Sequence, residues 1–564
     1  MREKDDVREW RNALEELKCS TTEIEGMDDQ VFPILKFSYE RLKFERVQSC
    51  FLFCALLPED YSSSAEEMVK YWIAGGLIDD MRDWEKEQDK GQTILNGLID
   101  VCMLVKRSDN QVVMHDLIRD LAIGIIRKNP WFVVKAGMGI RESTGLKEFT
   151  EDVEKISLMR NEIDMLSGEP NCPKLSTLLL RENPLSGNIS HGFFNHMNSL
   201  RVLDLSFTEI EYLPVSVSNL ESLCALILKF CRRLREVPSL AKLTHLRVLN
   251  LSNTGIKEVP DGMESLVNLK KLHVSSTAAG TNRMNAVGCN SLVLPDSIIK
   301  LNMHGCDLSS LRCLSRLQCL QTFSISWCGM KWLLPVGDGN TIMALPSIQS
   351  LFLEELPSFR NLCEGVLLPG SFTRLKFLRV SRCHVLENLM SLELFQHLQC
   401  LELIDIAECS EMEEVIQGEV IVEEGDNNNS NNNTIVLPKL RWLYLCHLGK
   451  LRSICKRFLL YEAMEFIWET AKNAGVAMEF IWETAKNARL VVEFISDTAK
   501  NAGVAMEFIW ETAKNAGVAM EFIWKTVKNA RVAMEFIWET AKNSGVAIET
   551  AKNAWAQFNY YRSL

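Results

Sequence analysis

The nine residues Leu200-Arg-Val-Leu-Asp-Leu-Ser-Phe-Thr208 return three times at a constant distance. They reappear as Leu223-Cys-Ala-Leu-Ile-Leu-Lys-Phe-Cys231, Leu246-Arg-Val-Leu-Asn-Leu-Ser-Asn-Thr254 and Leu269-Lys-Lys-Leu-His-Val-Ser-Ser-Thr277. The shared frame is L-x-x-L-x-L-x-x-(N/C/T), and the step of 23 residues falls inside the roughly 20–29-residue window of leucine-rich repeats. Working outward, the frame fits at Leu175, Ile298, Leu320, Leu375 and Leu401, and more weakly at Val153, Ile348 and Leu440, which makes twelve starts. After Leu269 the steps become uneven: 29, 22, 28, 27, 26 and 39 residues. The longest step holds an acidic and asparagine-rich run, Glu423 to Asn433, which reads as a solvated surface loop between units.

The frame dictates the fold. Its x-L-x-L-x centre alternates as a half-buried strand does. No unit can bury its apolar side alone, so neighbours must stack into a curved solenoid whose strands line the concave side. The Asn, Thr or Cys that closes each frame turns the chain inward, and its side chain can satisfy backbone groups at the turn. Those cysteines therefore read as structural. Such a fold offers a recognition surface and no chemistry of its own.

The rest of the composition narrows the class. The chain carries 62 Lys and Arg against 74 Asp and Glu, a net charge of -12, which argues against a general nucleic-acid binder. No uninterrupted apolar run is long enough for a membrane span. The charged start, Met1-Arg-Glu-Lys-Asp-Asp6, does not read as a secretory leader. The 18 cysteines are scattered without CxxC pairs, so they read as reduced thiols in a cytoplasmic protein.

The zone before the repeats is helical. Val31–Lys43 has apolar groups at helical spacing; Cys50–Tyr61 reads as a buried helix stopped by Pro58; Met68–Ile78 reads as a helix ending at Gly75-Gly76. A further helix is expected over Thr93–Leu104, then a strand pair ending in Gln111–Met114, then a helix over Leu117–Ile126. Helices followed by a small hairpin suggest a winged helix. Some winged helices bind DNA, but Glu59, Asp60, Glu66 and Glu67 face only Lys70 here, and no phosphate-facing stripe is evident.

At this point the sequence resembles the plant intracellular nucleotide-binding, leucine-rich-repeat disease resistance proteins of the coiled-coil class. Four stretches carry the resemblance, in the family's order: Phe32–Leu42, Cys50–Tyr61, Tyr71–Ile78 and Met114-His115-Asp116, the last matching the family's Met-His-Asp motif. The resemblance covers roughly residues 7 to 457. It implies a switch held off by ADP and turned on by ATP, with the matching histidine, His115, touching the ADP phosphates. Met114 and Asp116 flank that contact, and Asp116 stands where it can cap backbone N–H groups of the helix it opens. The resemblance also implies that the repeats sense a pathogen effector or a guarded host protein.

Other parts of the family pattern are not found. No G-x-x-x-x-G-K-[ST] phosphate loop occurs, nor do the family's acidic second motif, its GLPLA stretch or its signalling coiled coil. The chain thus reads as the back half of a receptor, with no cofactor of its own expected and no enzymatic constellation in view. Two other readings stay open: an inert leucine-rich scaffold, and a nucleotide switch whose front half lies outside this sequence.

A second repeat closes the chain. From Met464 the motif Met-Glu-Phe-Ile-Trp-Glu-Thr-Ala-Lys-Asn-Ala-Gly-Val-Ala returns every 14 residues. Fourteen is two heptads, which predicts an amphipathic helix. Its glycines weaken a lone helix, so it should hold only when packed. Self-association, a partner helix, membrane contact and no dedicated role are all open for it.

The expected architecture is therefore α/β: a helical remnant at 1–27, a winged helix at 28–140, a leucine-rich-repeat solenoid at 150–457 and a mostly α-helical 14-residue tandem repeat at 461–554. The expected partners are proteins, with no nucleic acid and no integral membrane segment.

Overall fold

The computed structural model describes residues 32–451 and 465–469, leaving out 79–82, 108–109, 128–130, 142–148, 188, 277–286, 289–292, 308–316, 335–344, 364–369 and 418–438. The remnant read at 1–27 and the asparagine-rich insertion lie outside the described residues. The chain forms two compact units. One comprises the chain to Met330 with Gly337–Ile348; the other comprises Lys331–Val336 and the chain from Gln349.

Among the described residues the first unit begins with five helices: α1 (Phe32–Glu40), α2 (Glu45–Cys54), α3 (Ala65–Ala74), α4 (Trp84–Asp100) and α5 (Asp116–Ile126). Ser64 caps α3 by accepting from the Glu67 amide at 3.1 Å, and Asp83 caps α4 by accepting from the amides of Glu85 and Lys86. Each cap satisfies donors that the first helical turn leaves open. The helix read at Cys50–Tyr61 is α2, shifted towards the N-terminus. Tight turn bonds, such as Leu57 N to Cys54 O at 3.2 Å, carry the chain from its end to Pro58. The helix read from Thr93 starts instead at Trp84, because its first turns hide their apolar pattern among charges. A small antiparallel sheet orders Ser63–Ser64, Gln111–Val113 and Val105–Lys106 side by side. This is the winged helix.

The same unit continues as a parallel ladder. Strands Phe132–Val134, Lys155–Ser157, Thr177–Leu179, Val202–Asp204, Ala225–Ile227, Val248–Thr254, Lys271–Ser276, Lys300–His304 and Thr322–Ser326 pair in that order. The middle frame residue stays in register throughout: Leu178, Leu203, Leu226, Leu249, Leu272, Leu301 and Phe323 form one fully buried column. The sheet begins before the leucine frame does, since Phe132–Val134 pairs with Lys155–Ser157 inside the span read as winged helix.

The frame-closing residues do what the frame predicts. Asn183 donates to the carbonyls of Leu158 and Leu180, both at 2.8 Å, and accepts from the Ile163 amide. Thr208 and Thr254 each donate to the carbonyl three residues back. The Cys231 thiol points at the Leu205 carbonyl, 3.0 Å away. All described cysteines are free thiols.

A backbone regularity accompanies the frame. In ten copies of the frame the residue two places after the third frame position takes a left-handed conformation, although it is not glycine. Arg160, Glu182, Phe207, Phe230, Asn253 and Trp327 do so in the first unit, and Glu355, Arg382, Glu408 and His447 in the second, with φ between 49° and 63°. Such φ values are uncommon for non-glycine residues. Within each unit neighbouring ones contact each other: in the first, Arg160 pairs with Glu182 at 2.8 Å and Phe207 stacks on Phe230; in the second, Arg382 binds Glu355 at 2.9 Å and Glu408 at 3.0 Å.

In the second unit Ser350–Glu354, Phe377–Ser381, Leu403–Ala407, Trp442–Cys446 and Glu465–Glu469 form a parallel ladder. The last strand corrects the helical expectation for the tandem repeat in its one described stretch. Phe, Ile and Trp in succession favour a pleated surface, and the open edge at Trp442–Cys446 supplies the partner. The remaining copies lie outside the described residues.

Candidate functional site: the winged helix on the concave sheet

In the strands from Lys155 to Ile227 every residue is buried, on both faces. Further along, in Lys300–His304 and Thr322–Ser326, only alternate residues are buried. The difference is the winged helix. Leu179, Val202, Ala225, Ile227 and Val248, which point away from the solenoid core, join one apolar cluster with Phe53, Tyr71, Trp72 and Leu95. The concave side of the early repeats is therefore a second core.

A polar clamp surrounds that core. Tyr71 in α3 donates its phenol to the buried carboxylate of Asp204, which also accepts from the amide and hydroxyl of Ser206. Arg181 reaches Glu67 at 3.0 Å, and its guanidinium lies over the rings of Tyr61 and Phe207. Arg247 pairs with Glu87 at 2.6 Å, and Glu87 is fully buried. Trp84 sits between two cations, with Arg247 and Lys271 each 5.1 Å from its ring. Glu66 bridges Lys271 at 2.8 Å and Lys300 at 2.9 Å. Arg201 donates to the Ala74 carbonyl at 3.2 Å and lies against Gly76, whose φ of 77° would strain a side chain and whose Cβ would sit tightly against that guanidinium. In the ion pairs of this clamp the winged helix supplies the acids and the early repeats supply the bases.

The electrostatics follow from burial. Burial raises the Glu66 carboxyl, but Lys271 and Lys300 outweigh it and hold the group well below its ordinary value. Burial pushes the Tyr71 phenol far up, and Asp204 adds to this, so Tyr71 stays a donor. His273 faces the same patch. Burial, then Lys70 and Lys300, press its imidazole down to about 3.

His115 lies elsewhere in the winged helix. It is exposed, while Met114 is buried and Asp116 half-buried. His115 itself caps α5: its Nδ1 accepts from the Leu117 amide at 3.3 Å. Asp116 is the first helical residue and not the cap. A ring that accepts at Nδ1 carries its proton on Nε2, so one N–H donor is turned outward. The surroundings are acidic. Burial, then Asp116, raise the nearby Glu59 carboxyl, and Arg119, in the same helix, turns inward to the Leu57 carbonyl at 2.9 Å. His115 can give a phosphate one hydrogen bond here but no pocket of positive charge.

The structure thus separates the two candidate surfaces: the Met114-His115-Asp116 turn, and the concave face that the sequence reading did not single out. A signal for the latter existed. A strand buried on one face should be polar on the other, yet the outward places of the early frames hold Leu179, Val202, Ala225, Ile227 and Val248.

Folded this way, the chain joins a winged helix to leucine-rich repeats. The winged helix matches the disease resistance protein winged helix domain over residues 56–122, and the repeats match the leucine rich repeat over 173–232. The later repeats match the leucine-rich repeats of plant disease resistance protein RPS2-like over 347–459. In Arabidopsis thaliana, disease resistance protein UNI is 30% identical over 486 residues, covering 79% of this chain and 50% of UNI. Disease resistance protein RPS5 is 29% identical over 501 residues, covering 82% of this chain and 52% of RPS5. SUMM2 is 37% identical over 265 residues, which is 46% of this chain and 27% of SUMM2. The winged helix and the repeats are thus similar to those of plant disease resistance proteins, over about four fifths of the chain. The chain spans about half the length of UNI and RPS5, and none of its described helices is long and apolar enough to cross a membrane.

Proposed function

We propose that the chain is the sensing and latching part of a plant defence receptor in the cytoplasm. The repeats recognise a pathogen effector or a guarded host protein, and the winged helix belongs to an ADP/ATP switch, where the outward Nε2–H of His115 meets an ADP phosphate. One observation carries the reading. The winged helix is buried on the concave face of the early repeats through Tyr71–Asp204, Glu87–Arg247 and Glu66–Lys271. A module held that way must feel a change in the repeats. The strands of the second unit keep a partly open face, with Phe377, Arg379, Asp405 and Tyr444 on it, and this is where the ligand is placed. We assign the chain no catalysis.

The test is genetic and biochemical. Plants without the gene should lose resistance to at least one pathogen strain. The native gene should restore it, and a form with Phe377→Ala, Arg379→Ala and Tyr444→Ala should not. An unchanged resistance spectrum contradicts the defence role. With nucleotide, the acidic setting of His115 predicts no heat of binding for this chain at micromolar ADP. Micromolar binding abolished by His115→Ala would show that the phosphate site is complete within it.

A further inference from the structure

The strand Glu465–Glu469 lies beside Trp442–Cys446 with Phe466 opposite Leu443 and Trp468 opposite Leu445. Leu443 and Leu445 are core positions, 2% and 1% exposed. In sequence, Ala463-x-x-Phe466-x-Trp468 therefore fills the frame of one more repeat unit. The same five residues recur at 479–483, 507–511 and 535–539, and with Lys at the last place at 521–525.

These copies cannot extend the ladder one after another. Neighbouring strands in that ladder start at least 23 residues apart, as from Trp442 to Glu465. A step of 14 leaves nine residues for the return path, far less than a leucine-rich unit uses. The copies are thus rivals for a single edge. Strand addition needs only an extended backbone and apolar residues at alternate places, and each copy brings both.

We propose that the edge at Trp442–Cys446 is a strand-addition site whose ligand is the chain's own Glu-Phe-Ile-Trp-Glu segment, and that the later copies are interchangeable with the first. The tandem repeat is then an end cap held in several spares. It covers N–H and C=O groups that an open parallel edge would offer to other chains, and solenoids need such caps. The added strand is short, five residues, which discourages further pairing.

The test is hydrogen exchange on the full chain, read by mass spectrometry on peptides spanning 442–446. Three proteins are compared: the native chain, Ile467→Pro, and a form with proline at positions 467, 481, 495, 509, 523 and 537. Proline removes the donor and disrupts a strand. Native and single-proline chains should protect the edge alike, whereas the six-proline chain should exchange about tenfold faster or more. Loss of protection in the single variant equal to that in the six-proline form overturns interchangeability. Retention in the six-proline form overturns the cap itself. Protection that vanishes on roughly hundredfold dilution would assign the strand to a second copy of the chain and overturn the intramolecular assignment. Should the six-proline form fail to fold, seen as lost protection at Phe377–Ser381, a second variant decides. Cys446 stands opposite Glu469, so Ile467→Pro with Glu483→Cys should form a disulfide between Cys446 and position 483. Its absence under mild oxidation overturns the proposal.

Discussion

Tyr71 and Asp204 are 133 residues apart in sequence, and the phenol of the first donates to the carboxylate of the second in the buried centre of the winged helix–repeat contact. The pair joins a helix end to the last residue of a repeat strand. Asp204 has no exposed surface, so each of its lone pairs must be answered from within the protein.

Tyr71→Phe keeps the ring and removes the donor. Ser206 still serves the carboxylate, so the loss should be about 1–3 kcal/mol of unfolding free energy. Urea unfolding of the native and variant chains measures it, and an unchanged midpoint contradicts the assigned bond.

Glu87 and Arg247 form the most enclosed ion pair of the clamp, 0% and 16% exposed. Arg247→Leu leaves a buried charge and should cost about 3–5 kcal/mol. Adding Glu87→Leu should recover most of that, because two apolar groups need no desolvation. A double variant as unstable as the single one would show that the charges themselves are required.

Gly91 lies in α4 where a Cβ would come within 2.3 Å of Val69 in α3. Alanine is the better helix former by about 1 kcal/mol, but overpacking costs about 1–3 kcal/mol. Gly91→Ala should therefore destabilise the winged helix, read as a lower thermal midpoint. A gain in midpoint contradicts the close crossing of the two helices.

His273 has a folded value of about 3, lowered by burial and by Lys70 and Lys300, with Glu66 acting the other way. The unfolded ring titrates near its ordinary 6.5. Protons therefore bind the unfolded state first, and stability is complete above about pH 6.5 and lost as pH falls towards 3. Between pH 7 and pH 5 the loss should be up to about 2 kcal/mol. Glu66 adds a further loss only below its ordinary 4.5. A denaturation series should show the slope, and His273→Gln should flatten it above pH 5. An unchanged slope in that variant rules His273 out as its source.

Much of the fold was legible. Leu178, Leu203, Leu226 and Leu249 announced one column because period and internal spacing were both kept, and Asn183 and Thr208 announced its turns. Other features obeyed rules that one repeat does not reveal. Glu182 and Phe207 take the left-handed conformation because of how units stack, and nothing in their residue type signals it. Leu179 and Val202 stand at outward places where a strand buried on one face should be polar, and the winged helix packed against them is the reason. Glu465–Glu469 carries two periods at once, helical over 14 residues and alternating over five, and the neighbouring open edge selects the second. His115 was legible as a motif, but its capping of α5 depends on backbone geometry that Asp116 could equally have supplied.

The winged helix and the early repeats form one cooperative body held through the concave face. Native-state hydrogen exchange on the full chain tests it directly, comparing α3 with the strands Thr177–Leu179 and Val202–Asp204. These segments should open with one free energy, and Tyr71→Phe should lower it equally in all of them. Faster exchange of α3 alone, with the strands unchanged, would contradict it.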